Sequence, residues 1–190
     1  MKDENGEVRL GVAKSIYEIF ISSEQALLSS IQNIIGHLQK DNQYKIREKM
    51  IVTLCDLGVA YGLETFKVHL EALFFLYLTD PVHNVRETGI KCLEKLTGKF
   101  GSSWTINTLI PKLMGSLNQP KTSYINRMTV LSSITICAKN LNNSQVNDNV
   151  ISNLLKYLKD KIPNVRFFVI KQLSSISQYM DSAGKDKCKK

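Results

Sequence analysis

Residues 80–87 read DPVHNVRE, an aspartate followed six positions later by an arginine that has an aliphatic residue beside it. The same step recurs as DENGEVRL at 3–10, DNQYKIRE at 41–48 and DKIPNVRF at 160–167. An aspartate at the end of one helix accepts hydrogen bonds from the free backbone N–H groups that open the next, and an arginine in that second helix's first turn projects back toward it. The planar guanidinium can also bridge to the aspartate of a neighbouring turn. The spacing therefore predicts short turns between paired helices, linked by Asp3, Arg9, Asp41, Arg47, Asp80, Arg86, Asp160 and Arg166. In NVRE, Asn84 and Glu87 also stand at capping-box spacing.

The arginines fall at 9, 47, 86, 127 and 166, intervals of 38, 39, 41 and 39 residues. A period near 40 is the signature of a repeat architecture. Val150, Ile151, Leu154, Leu155 and Leu158 lie on one helical face before a turn, and Val85, Gly89, Cys92, Leu93 and Leu96 form the matching stripe after one. The reading is all-α: helix pairs near 24–61, 64–99, 105–140 and 147–179, preceded by an unpaired helix near 7–20. That leading half-repeat suggests an excised piece of a longer array. The array would occupy 1–181, and the lysine-rich 182–190 would be a flexible basic tail.

Composition narrows the function classes. Hydrophobic residues at 43% and charged residues at 22% suit a folded chain. The longest apolar run, ALFFLYL at 72–78, is too short to cross a bilayer, which takes about 20 residues. No signal peptide is visible, so the expected compartment is cytosolic, with the nucleus also open. Cys55, Cys92 and Cys137 sit inside apolar helical stripes and read as buried thiols, while Cys188 lies in the tail. His37, His69 and His83 stand apart from any cysteine pair, which gives no zinc signature. The sequence holds no phosphate-binding glycine loop, HExxH or nucleophile elbow, so no catalytic, metal or cofactor residue is assigned. Asn142-Asn143-Ser144 matches the glycosylation sequon by chance. Phe74, Phe75 and Tyr77 read as core, and Trp104 as packing between repeats.

Two helices per period, an aspartate in the turn, a Val-Arg step opening the second helix and Pro111 inside TLIPKLM together resemble the HEAT repeat. This resemblance implies an α-α superhelix. Between residues 38 and 181 the order EKLTGKFGSSW…LIPKLM, YINRMTVL and PNVRFFVIKQL is similar to the C-terminal repeats of the scaffold (A) subunit family of protein phosphatase 2A, including the lengthened turn NQPKTSYINR at 118–127. In that family these repeats hold the phosphatase catalytic subunit along their turns, and earlier repeats hold a regulatory B-type subunit. The resemblance thus implies a non-catalytic scaffold with Tyr44, Lys45, His83, Tyr124, Arg127, Asn164 and Val165 at the catalytic subunit. Tyr44 stands where the family usually has tryptophan, and Gln43 and Lys45 where it usually has two basic residues. The family is acidic, whereas this chain carries +8.

That charge frames the alternative, a basic HEAT module that binds nucleic acid or another polyanion. Its lysines and arginines are scattered along the helices rather than gathered on one stripe. A transport or microtubule-binding HEAT protein is a third possibility, one whose turns would not reproduce YINRMT.

Overall fold

The computed structural model describes residues 3–22, 35–117 and 122–189. Among them the chain is all-α, with no strand. Most of the expected helix over 24–40 lies outside the described residues, as does the tip of the lengthened turn at 118–121. The chain forms two compact units, Met1–Lys99 and Phe100–Lys190.

In the first unit, α1 (Gly6–Ile21) starts at Asn5, whose side chain accepts the Glu7 N–H. It packs along α2 (Tyr44–Tyr61), and both apolar stripes face inward: Ala13, Ile16 and Phe20 from α1, with Ile46, Met50, Leu54 and Leu57 from α2, are all at most 4% exposed. Burial of a side chain of this size stabilises by roughly 1.5–3 kcal/mol, so these stripes hold the helices together. Helix α3 runs Leu63–Thr65, widens into a π-turn at Phe66–Leu70 and continues as Glu71–Tyr77. It brings Phe66 and Phe74 edge-to-face with centroids 5.9 Å apart. Phe74 and Tyr77 are core residues, as their spacing implies.

Helix α4 begins at His83 and runs to Trp104, interrupted at Gly101. Gly62, between α2 and α3, has φ 88°, and Gly101 has φ 83°. The two stand 39 residues apart, the interval that separates Arg47 from Arg86. At each, a second helix stops and the chain turns into the next first helix through a backbone conformation that glycine alone adopts without strain.

In the second unit, Trp104 is buried edge-to-face on Phe100, centroids 5.0 Å apart. Helix α5 comprises a π-turn, Thr105–Leu109, and Ile110–Leu117. Pro111 follows the wide turn and is accommodated by it, since proline lacks an N–H and its ring crowds the carbonyl four residues back. Helix α6 is Tyr124–Cys137, capped by Ser123 through the Asn126 N–H at 3.1 Å and followed by a 3-10 turn, Ala138–Asn140. Helix α7 spans Asn143–Gln145, a π-turn at Val146–Ile151, Ser152–Leu155 and a closing 3-10 turn, Lys156–Lys159. Helix α8 is Pro163–Ser175, with proline at its first position, where the missing N–H has no partner to lose.

Two expectations are corrected. The capping box is not at Asn84 and Glu87, because α4 already starts at His83 and Glu87 instead pairs with Lys91 at 2.9 Å. A reciprocal box forms at Asn142 and Gln145. Nor is the basic segment a flexible tail: Ser182–Lys187 forms α9, capped by Asp181, which accepts the Gly184 N–H at 2.9 Å. Asn147 Nδ2 donates to the same carboxylate at 2.5 Å, and Gly184 is buried against this asparagine.

Candidate functional site

The turns between paired helices share one construction. The aspartate carboxylate accepts the N–H two residues on: Asn5 to Asp3 at 2.8 Å, Gln43 to Asp41 at 2.9 Å, Val82 to Asp80 at 2.8 Å and Ile162 to Asp160 at 2.9 Å. The arginine six residues on donates Nη1 to the aspartate's own carbonyl: Arg9 at 2.7 Å, Arg47 at 2.6 Å, Arg86 at 2.7 Å and Arg166 at 2.8 Å. Each turn is thereby closed twice, once at its carboxylate and once at its carbonyl. A helical side chain leans toward the helix N-terminus, which is why the arginine reaches back over six residues.

The remaining guanidinium edge reaches the next turn. In the first unit Arg9 holds Asp41 through Nε at 2.6 Å and Nη2 at 3.1 Å, and Arg47 holds Asp80 at 2.7 and 2.9 Å. In the second unit Arg127 donates Nη2 to Asp160 at 3.0 Å and lies in ion-pair contact with it through Nε at 2.8 Å, with Nη1 donating to the Thr122 carbonyl at 2.8 Å. These two-point pairs are largely shielded from water, which makes them stronger than surface ion pairs and costly to break on one side. The Arg9 hydrogen bond is the main cause that holds the Asp41 carboxyl below its ordinary range, against the opposing effect of burial. For Asp160 burial pushes upward most, but the Ile162 N–H and Arg127 together bring the carboxyl below its ordinary range. Arg86 differs: it is 8% exposed, bonds the Asp80 and Pro81 carbonyls through Nη1, and leaves Nε without a hydrogen-bond partner.

Around these rungs lie the residues marked for partner binding. Tyr44 is half-buried and Lys45 exposed at the start of α2, beside a 420 Å³ groove lined by Lys40, Asn42, Arg47 and Pro81. His83 opens α4 with 75% of its side chain exposed and its Nε2 3.7 Å from Glu87. In the second unit Tyr124 opens α6 at 44% exposure, next to Ile125 at 40%. Asn164 is exposed at the start of α8. Each thus stands at the first turn of a second helix.

Two of the assignments do not survive. Val165 is fully buried, since the third position of α8 points inward between the paired helices. Arg127 donates Nη2 to Asp160 and Nη1 to the Thr122 carbonyl, with its Nε at ion-pair distance from the same carboxylate, so it belongs to the rungs rather than to a free contact surface.

The sequence reading passed over two features. Tyr77 and Tyr157 each precede a rung aspartate by three residues, in YLTD and YLKD. Their hydroxyls lie within the electrostatic reach of the Arg47–Asp80 and Arg127–Asp160 pairs, and burial pushes both up from the ordinary phenol range. The repeated Tyr-Leu-x-Asp string was the available signal. Phe167 at 66% and Ile170 at 55% exposure form an apolar strip on α8, visible in sequence only as a stripe wider than one buried face requires.

Among the described residues no group of three metal-ligating side chains converges, and no helix is long and apolar enough to cross a membrane. Neither a protein-family model nor a curated protein matches this chain.

Proposed function

We propose that this chain is a scaffold of HEAT-type helix pairs stacked as an α-solenoid, whose turns present a docking ridge to a protein partner. The particular reading is a non-catalytic scaffold subunit that holds the catalytic subunit of a protein phosphatase 2A-like enzyme. A regulatory B-type subunit would be bound by repeats outside this chain, and the complex would act in the cytosol or nucleus. The observation that supports it is the turn construction: charge-assisted rungs within each unit fix consecutive turns, and Tyr44, Lys45, His83, Tyr124 and Asn164 stand at their rims. Rigid turns carrying exposed aromatic and polar side chains suit recognition of a protein surface, where tyrosine supplies much of the binding energy. The resemblance of YINRMT and PNVRFF to the scaffold family selects the partner.

The experiment is a calorimetric titration of the chain with a protein phosphatase 2A catalytic subunit at two salt concentrations, with duplex DNA as comparison ligand. Saturable phosphatase binding that tolerates salt is expected. Salt-steep DNA binding with no heat from the phosphatase would move the polyanion reading ahead, since counterion release makes such binding fall sharply with salt.

A further inference from the structure

Cys55 on α2 and Cys92 on α4 are 37 residues apart in sequence and face each other across the helix interface. Cys55 Sγ lies 3.5 Å from the Cys92 carbonyl oxygen, and Cys92 Sγ lies 4.0 Å from the carbonyl oxygen of Ile51, one turn before Cys55. Each thiol thus points into the backbone of the other cysteine's helix. Both thiols are free. Their side chains converge from adjacent helices, the approach from which a disulfide forms.

We propose that Cys55 and Cys92 are a paired oxidation site, which closes to a disulfide and ties α2 to α4. The oxidant is a peroxide or a low-molecular-weight disulfide, neither of which needs a binding pocket. With a peroxide, one thiol gives up its proton and its sulfur attacks the O–O bond, forming a sulfenic acid and releasing water. The second thiol attacks that sulfur, the S–S bond forms, and another water leaves. Two thiols lose two protons and two electrons, and the peroxide gains both.

The order of attack follows from exposure. The Cys92 side chain and burial hold the Cys55 thiol well above its ordinary range, whereas Cys92 is the slightly more exposed of the two buried residues, at 8% against 1%. A 300 Å³ cleft lined by Tyr17, Asp56, Val59, Ala60 and Lys95 opens beside the pair, its Asp56 next in sequence to Cys55 and its Lys95 one turn beyond Cys92. Cys92 thus attacks the oxidant first and Cys55 resolves the adduct. The bridge would clamp the helix that begins with Tyr44 to the helix that begins with His83, which fixes the separation of the Asp41 and Asp80 turns. This inference rests on the thiol geometry and stands apart from the identity of any partner.

The test treats the native chain, in a Cys188→Ser background that removes the exposed thiol, with the thiol oxidant diamide. Free thiols are then alkylated in acid and the chain is digested with trypsin. The expected result is a cross-link between peptide 50–67 and peptide 92–95, with free thiols falling from three to one, reversed by dithiothreitol. The first unfolding transition should also rise by on the order of 10 °C, as expected for closing a loop of this length. Three free thiols after oxidation, or a link from either cysteine to Cys137, would overturn the proposal. The mass measurement reads Cys55 and Cys92 directly, so it needs no substitution at either of them.

Discussion

Replacing Arg47 by glutamine tests whether the rungs hold the turns in place. The substitution deletes the two-point contact to Asp80 at 2.7 and 2.9 Å and the donation to the Asp41 carbonyl at 2.6 Å. It also strands Asp80, which is 8% exposed, with only the Val82 N–H at 2.8 Å. Breaking one side of such a pair costs about 3–5 kcal/mol. Glutamine recovers part of the donation to a carbonyl, which leaves a loss of about 3 kcal/mol and a fall in Tm of roughly 6–12 °C for a chain of this size. Arg86→Gln is the internal control: that arginine is equally buried, but it makes only carbonyl contacts at 2.7 and 3.0 Å and strands no acid, so a loss of about 1 kcal/mol is expected. Urea and thermal unfolding followed by far-UV circular dichroism measure both, and Asp80→Asn completes a cycle with Arg47→Gln whose coupling should exceed about 1 kcal/mol. If Arg47→Gln costs no more than Arg86→Gln, or the cycle shows no coupling, the rungs do not hold the turns and the reasoning fails.

Other consequences follow from the same geometry. Asp41 and Asp160 have carboxyls held below their ordinary range in the folded chain, so their contribution to stability is complete above the unfolded value of about 4 and is lost as pH falls through the folded values. Unfolding midpoints taken from pH 7 to pH 2 should drop below pH 4, and Asp41→Asn should flatten that drop; a midpoint that rises on acidification would contradict the assignment. Gly62→Ala forces a side chain into φ 88° and ψ 178° and should cost about 1–3 kcal/mol in urea unfolding, with Gly11→Ala, which meets open space on α1, as the harmless control. Asp181→Ala removes the cap and the Asn147 contact that seat α9, so amides of 184–188 should exchange with solvent markedly faster while those of α6 keep their protection.

The parts of this architecture that were legible in the sequence are those set by contacts between near neighbours in the chain. An aspartate and an arginine six residues apart meet within one turn, so they leave a periodic mark. The position of a side chain around its helix is less legible. Val165 and Asn164 are adjacent, yet one is core and the other exposed, and a match made along the sequence assigns both alike. Arg127 has the residue type that suits a protein interface, but Asp160, 33 residues away, takes its fork. Composition misled at 182–190, where lysines suggested a frayed end and Asn147, 34 residues before Asp181, supplies the contact that seats a helix. The π-turns in α3 and α7 carry no proline, and only α5 announces its own through Pro111.

Hydrogen exchange of the chain with and without a protein phosphatase 2A catalytic subunit tests the docking ridge most directly, because it reads each turn separately. Bound catalytic subunit should slow exchange at 44–48, 83–87, 124–128 and 163–167, and Tyr44→Ala should weaken binding without altering protection of the free chain. Unchanged exchange at those four turns, or protection confined to other helices, would contradict the proposed scaffold role.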